Sequence, residues 1–189
     1  MQSLHFKDLF GKKAIITGEV GAGKTKLLAS LLDEAALEPN LNIVVLDLAP
    51  EFRIGSNIVG VSIRAYSKSL SKVKYLKPHP IFAPRLQGKS KQEVLDLASR
   101  NASIIEPYLV NLFSLSPEIL FVDDLTIYMQ AGKIGLITQL ILRVSTFIAT
   151  AYKGKVILDD KGSGLSCKER STLEFLLNDS KLNLLEVAL

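Results

Sequence analysis

The chain has 189 residues, of which 48% are hydrophobic and 22% are charged. This length and composition predict one compact domain with a sizeable core, and they exclude a disordered or collagen-like chain. The single cysteine, Cys167, excludes an intramolecular disulfide framework and a thiolate metal cluster. The amino terminus has no apolar stretch of signal-peptide type, so we expect a cytoplasmic protein.

Short β-branched runs alternate with longer helical patterns, which predicts an α/β fold in one domain over residues 1–189. We expect a mainly parallel sheet of about five strands, with helices on both faces. In chain order, the predicted strands are 13–17, 42–48, 73–76, 118–122, 155–158 and 182–187, and the predicted helices are 24–37, 92–115, 134–152 and 166–177. The second helix is expected to bend or break at Pro107, and Ser166 with Glu169 has the spacing of a capping box.

A glycine-rich motif lies between the first predicted strand and the first predicted helix. It fits G-x-x-x-x-G-K-[ST] and consists of Gly18, Glu19, Val20, Gly21, Ala22, Gly23, Lys24 and Thr25. Glycines in such a loop let successive backbone N–H groups point at phosphates, and the following helix adds positive potential. We expect Lys24 to bind the β- and γ-phosphates and to serve catalysis, and we expect Thr25 to ligate Mg²⁺.

Two adjacent acids, Asp123 and Asp124, follow the apolar strand predicted at 118–122. At the end of a buried strand, Asp123 would hold Mg²⁺ through a water molecule. Asp124 would then orient or deprotonate an attacking water. The alternative is a strand that simply ends in a polar turn.

Together these motifs resemble the Walker A and Walker B motifs of P-loop nucleoside triphosphatases, over most of the chain. The acid directly after Asp123 is similar to the RecA-like and AAA-like branch, in which that position is catalytic and usually Glu; here it is Asp124. Asp47, at the end of the second strand, resembles an acid of ParA-type ATPases and metallochaperone GTPases and is a second catalytic candidate. The extra lysine of ParA-type loops is absent, so the first branch is favoured. No N-K-x-D or T-K-x-D sequence follows a strand, which favours ATP over GTP.

The positive charge is concentrated in residues 52–92, which we call the basic segment. It contains nine Lys and Arg residues and no Asp or Glu, which leaves 14 basic against 19 acidic residues in the rest of the chain. Aromatic side chains are interleaved with these cations, a mixture that suits a nucleic acid or another acidic partner. A solvated surface loop, inserted as an irregular stretch in the domain, is the alternative.

Residues 134–152 are apolar nearly all round if they form one helix, which predicts a buried helix or a contact in a homo-oligomer. Arg143 near its middle argues against a membrane span. In an oligomer, Arg143 or Arg170 could complete a neighbour's nucleotide site, as arginines do in many P-loop ATPases.

The sequence therefore predicts a Mg²⁺-dependent ATPase, with nucleic-acid coupling through the basic segment as the favoured version. Two alternatives stay open. One is a kinase or adenosyltransferase in which residues 52–92 cover a small acceptor. The other is a weakly hydrolysing nucleotide switch, which the shorter Asp124 in place of Glu would suit.

Overall fold

A six-stranded parallel sheet forms the centre of the molecule, in the order β5-β2-β6-β7-β1-β8. The computed structural model describes residues 4–54, 57–155 and 159–189. The strands are β1 (Lys13–Gly18), β2 (Ile43–Asp47), β3 (Phe52–Ile54), β4 (Asn57–Val59), β5 (Lys74–Leu76), β6 (Ile119–Asp123), β7 (Thr146–Tyr152) and β8 (Leu184–Ala188). Strands β3 and β4 form a separate antiparallel pair. The expected α/β class and parallel sheet are confirmed.

Helices cover both faces of this sheet. They are α1 (Phe6–Leu9), α2 (Lys24–Ala35), α3 (Pro84–Gln87), α4 (Lys91–Leu115), α5 (Thr126–Met129), α6 (Ile134–Arg143) and α7 (Leu165–Asn178). Alternate residues of β6 enter different cores: Leu120 and Val122 pack with α4 to α7, whereas Ile119 and Phe121 pack with α1 and α2. A strand buried on both faces must be apolar throughout, which explains the continuous runs in the sequence.

The helix predicted at 134–152 is wrong. The helical part ends at Arg143, and residues 146–152 form β7, which lies between β6 and β1 in the sheet. A buried helix and a buried strand both need an apolar run, but β-branched residues such as Thr146, Ile148 and Thr150 favour a strand. The stretch that was expected to form a buried helix or a helix in a homo-oligomer contact is therefore a core helix followed by a central strand.

Other boundaries differ in smaller ways. Helix α4 continues through Pro107, which lies on its exposed side, where water can satisfy the backbone carbonyl that loses its partner. The strand predicted at 155–158 falls largely on residues 156–158, which lie outside the described residues. The basic segment contributes the edge strand β5, so part of it belongs to the sheet rather than to an irregular insertion. No helix in the described part of the chain combines the length and hydropathy needed to cross a bilayer.

The central position of β7 predicts a large effect of truncating its core side chains. Phe147 is fully buried, so Phe147→Ala should lower the free energy of unfolding by about 3–5 kcal/mol. Leu142 on α6 is 52% exposed, and Leu142→Ala should change it by no more than about 0.5 kcal/mol. Urea denaturation of both variants measures this, and equal small effects would contradict the placement of β7.

Candidate functional site

The glycine-rich loop connects the carboxyl end of β1 to the amino end of α2. Gly21 and Gly23 have φ angles of 80° and 92°, which side-chain-bearing residues rarely adopt. Gly23 is the residue before the helix, and α2 begins at Lys24. The first N–H groups of a helix lack partners within it, so this loop presents donors and the positive end of a 12-residue helix.

Lys24 lies over the loop and is half-buried. Its Nζ donates hydrogen bonds to the carbonyl oxygens of Gly18 at 2.9 Å and Glu19 at 2.7 Å. Burial lowers the pKa of Lys24, while the nearby carboxylates of Asp124, Asp123 and Glu19 oppose that shift. The ammonium group is therefore held inside the loop by oxygen atoms, at the place where the loop would surround phosphates.

Glu19 is an acid within a loop expected to bind an anion, and its carboxylate is turned away from the loop. It accepts a hydrogen bond from the backbone N–H of Lys155, after β7. A Cβ atom on Gly154 would fall where the carboxylate of Glu19 lies, so a side chain at this position would displace that carboxylate. The connection after β7 thus holds the negative charge of Glu19.

Asp123, at the end of β6, is fully buried and lies next to the start of α2. Its Oδ1 accepts hydrogen bonds from the hydroxyls of Thr25 at 3.1 Å and Thr150 at 2.8 Å. Its Oδ2 is buried and accepts none from the residues that the structure describes. Burial raises the pKa of Asp123 to about 7, and the negative charge of Asp47 adds to the shift.

Asp124 faces a cavity beside the loop. Its φ angle of 55° is unusual for a residue with a side chain, and its N–H donates to the hydroxyl of Thr150 at 2.7 Å. Burial raises the pKa of Asp124 to about 6, although the positive charges of Lys24 and Arg85 lower it. Thr150 therefore connects both acids and holds the backbone turn between them.

Asp47 lies opposite Asp123 in the pairing of β2 and β6, but its carboxylate binds side chains of the basic segment. Oδ1 accepts from Lys77 Nζ at 2.9 Å and from a backbone N–H at 3.0 Å. Oδ2 accepts from the hydroxyl of Tyr75 at 2.8 Å and from that of Ser62. Asp47 is fully buried and does not belong to the described residues that line the cavity.

The cavity has a volume of about 370 Å³ and lies between the loop and the basic segment. The loop side contributes Lys24 and Thr25, and the strand ends contribute Asp124, Thr150 and Tyr152. The basic segment contributes another part of the wall, which is mostly apolar and includes Val61, Tyr66, Ala83, Pro84, Arg85 and Leu86. This volume lies within the range of small-molecule sites.

Sequence reasoning missed Thr150, Tyr152 and Arg85. The first two were hidden by the wrong helix at 134–152, since a strand there would have placed their side chains beside the loop. Glu169 was expected to cap α7, but the helix begins after Gly164 without a side-chain cap. Glu169 is instead buried and paired with Arg85 at 2.8 Å.

The two arginines predicted to act on a neighbouring subunit do not line the cavity of their own chain, and their role in a neighbour's site stays a prediction. Arg143 ends α6, on the side of the sheet where β7 begins, and its guanidinium lies over Phe113 with 5.8 Å to the ring centroid. The loop is at the opposite end of β7, so Arg143 does not reach the site of its own chain. Arg170 is exposed on α7.

The raised pKa of Asp123 predicts a pH-dependent stability. In the unfolded chain Asp123 releases its proton above about pH 4, whereas in the folded chain it keeps the proton up to about pH 7. The wild type therefore loses stability as the pH rises between these two values. Asp123→Asn lacks this loss. Its stability relative to wild type should increase from pH 5 to pH 8 by on the order of 2 kcal/mol.

Urea denaturation without Mg²⁺ at the two pH values measures this difference. Glu174→Gln, which changes an exposed carboxyl of α7, is the matched control and should show no such trend. A difference for Asp123→Asn that does not change with pH would contradict the burial of an uncompensated carboxylate at this position.

Comparison with known proteins extends these observations. The family model of the helicase HerA central domain matches residues 2–126, which include the loop, Asp123 and Asp124. No curated protein matches the chain. One similar solved structure, from a structural study of a Pyrococcus horikoshii OT3 protein, shares 13% identity with a TM-score of 0.34 and covers 89% of this chain and 84% of that one. Since the family model covers more than half of the chain, the chain belongs to the helicase HerA central domain family, which is related to P-loop ATPases.

Proposed function

We propose that the chain binds ATP at residues 18–25 and hydrolyses it with Mg²⁺. The observation that carries this proposal is that Lys24, Thr25 and Asp124 line one cavity at the carboxyl ends of β1 and β6, and that Asp123 accepts a hydrogen bond from Thr25. A loop of N–H donors, a lysine, a hydroxyl and two acids are the parts that phosphoryl transfer requires. Family membership supports nucleotide binding.

Mg²⁺ would be held by the hydroxyl of Thr25 and the carboxylate of Asp123. These two oxygens are 3.1 Å apart, and Asp123 has a second buried oxygen that accepts no hydrogen bond from the described residues. Mg²⁺ prefers oxygen ligands, keeps several waters and needs few protein ligands, so this pair fits it. The ion would neutralise charge on the phosphate oxygens.

Asp124 is the group we propose to orient and deprotonate the attacking water. Its pKa of about 6 leaves it ionised at neutral pH, yet closer to neutrality than an exposed carboxylate, as suits a general base. We assign Asp47 a positioning role, since Lys77, Tyr75 and Ser62 occupy both of its oxygens. This division of roles supports the RecA-like and AAA-like branch over the ParA-like branch.

We further propose that the basic segment binds nucleic acid and couples it to hydrolysis. The cations whose side chains the structure describes fall into two groups: Lys77 and Arg85 form ion pairs with Asp47 and Glu169. The exposed group comprises Arg64, Lys68, Lys72, Lys74, Lys89 and Lys91. The same segment forms part of the cavity wall. A polyanion bound to the outer surface of the segment would therefore act on residues that face the nucleotide. A family model described as a helicase domain supports this partner.

Lys24→Ala should weaken ATP binding at least tenfold and abolish turnover, because it removes the cation of the loop. Asp124→Asn should keep ATP binding within about threefold and lower turnover at least a hundredfold. Isothermal titration with Mg-ATP and a phosphate-release assay measure both. Lys181→Ala, at an exposed lysine before β8, is the control.

Normal binding and turnover in Lys24→Ala would overturn the site. ATP binding without turnover in the wild type would indicate the weakly hydrolysing switch. Turnover that appears only with an added small acceptor would indicate a kinase or adenosyltransferase.

The nucleic-acid proposal has its own test. Reversing Lys68, Lys72 and Lys74 to Glu should lower affinity for single- and double-stranded DNA at least tenfold and reduce the salt dependence of binding. Reversing the exposed Lys7, Lys12 and Lys181 changes the net charge equally and should have a smaller effect. Fluorescence anisotropy at increasing salt measures this, and no binding by the wild type at low salt would refute the proposal.

A further inference from the structure

Arg85 is a buried cation of the basic segment that forms part of the cavity wall. It lies in the short helix α3, and its side chain is only 7% exposed. The cavity that it lines also contains Lys24, Thr25 and Asp124. A buried charge lowers the stability of the fold unless it is paired, so the guanidinium of Arg85 requires partners at this position.

Two residues of α7 and one aromatic ring hold the guanidinium of Arg85 in place. Its Nη2 pairs with Oε2 of Glu169 at 2.8 Å, and its Nη1 donates to Oγ of Ser166 at 3.2 Å. The guanidinium carbon lies 5.3 Å from the ring centroid of Tyr152. The other carboxylate oxygen of Glu169 accepts a hydrogen bond from Gln130. The fork of Arg85 is therefore oriented before any ligand binds.

The ring of Tyr152 relates Arg85 to the phosphate-binding lysine. Nζ of Lys24 lies 5.9 Å from the same ring centroid, so two cations share one aromatic side chain. Tyr152 pairs with Gly18 across β7 and β1, which places it at the start of the loop. Both cations also lower the pKa of Asp124, which means that the charge of Arg85 is felt at the acid beside the cavity.

A bound triphosphate would bring one more phosphoryl group than a diphosphate next to Asp124. Two negative groups at that place repel each other, and Lys24 already lies against the loop carbonyls and the three acids near it. A second cation at the Asp124 end of the cavity would remove this penalty. A guanidinium suits the task because its fork matches two phosphoryl oxygens.

We propose that Arg85 contacts the terminal phosphoryl group of the bound nucleotide and so makes this site prefer ATP to ADP, with Glu169 as its positioning residue. This inference rests on the proposed nucleotide site. Arg85 is then a residue of the basic segment that acts inside the nucleotide site, and no arginine from a second subunit is required. Arg85 distinguishes the two nucleotides because it contacts the phosphoryl group that only ATP carries.

Equilibrium binding measures the preference without hydrolysis, using ADP and a non-hydrolysable imido analogue of ATP, both with Mg²⁺. Arg85→Met alone would leave Glu169 buried and unpaired, so the variant of choice is Arg85→Met with Glu169→Gln, compared with Glu169→Gln alone. Adding Arg85→Met should leave ADP affinity within about threefold and lower affinity for the analogue at least tenfold. Arg143→Met, at the opposite end of β7, should leave both affinities unchanged.

Arg85→Lys provides a second measurement that keeps the ion pair with Glu169 and so protects folding, which circular dichroism checks. It should lower the preference for the analogue at least threefold, because an ammonium group cannot bind two oxygens as a fork. An unchanged preference in both Arg85 variants would overturn the inference and leave the nucleotide site intact. Failure of the wild type to bind either nucleotide would instead overturn the proposed function, and this inference with it.

Discussion

The parallel pairing of β1, β7 and β6 is the constraint on which the rest of this site depends. Parallel strands end at the same edge of a sheet, so the loop after β1 and the acids after β6 must meet there. The strand between them contributes Thr150, whose hydroxyl binds both Asp123 and the backbone of Asp124. Without β7 in that place, the two acids would have no common hydrogen-bonding partner.

The balance of buried charge determines how these groups behave. Asp123, Asp124 and Glu169 all have raised pKa values because burial disfavours their charged forms. The cations Lys24 and Arg85 offset part of that cost, and both lie against Tyr152. In the function that we propose, a metal ion and a phosphate chain would enter this site. Its charged side chains are already oriented and are poorly screened by water, which strengthens each electrostatic interaction with a ligand.

Two buried or partly buried carboxylates attach the basic segment to the sheet. Asp47 binds Ser62, Tyr75 and Lys77, while Asp33 on α2 accepts from the hydroxyl of Ser67 and from the backbone beyond it. The contacts of Asp47 hold a stretch with little regular structure against the carboxyl end of β2, and those of Asp33 hold it against α2. The outer surface of the segment stays cationic, and its inner surface closes the cavity.

The sequence alone determined the α/β class, the glycine-rich loop and the acids after β6, because each depends on neighbours along the chain: apolar runs, glycines and residues at strand ends. The tertiary structure decided what depends on pairing between distant residues. Residues 144–152 are compatible with a helix or a strand, and pairing with β6 and β1 selects the strand. Glu169 is compatible with a helix cap, but it instead forms an ion pair with Arg85, 84 positions away. The partners of Asp47 likewise cannot be read from its neighbours along the chain, because Lys77 and Tyr75 reach its carboxylate only through long-range contacts. Local patterns cannot encode these outcomes because the energy that selects them comes from burial and charge pairing, which exist only after the chain has folded.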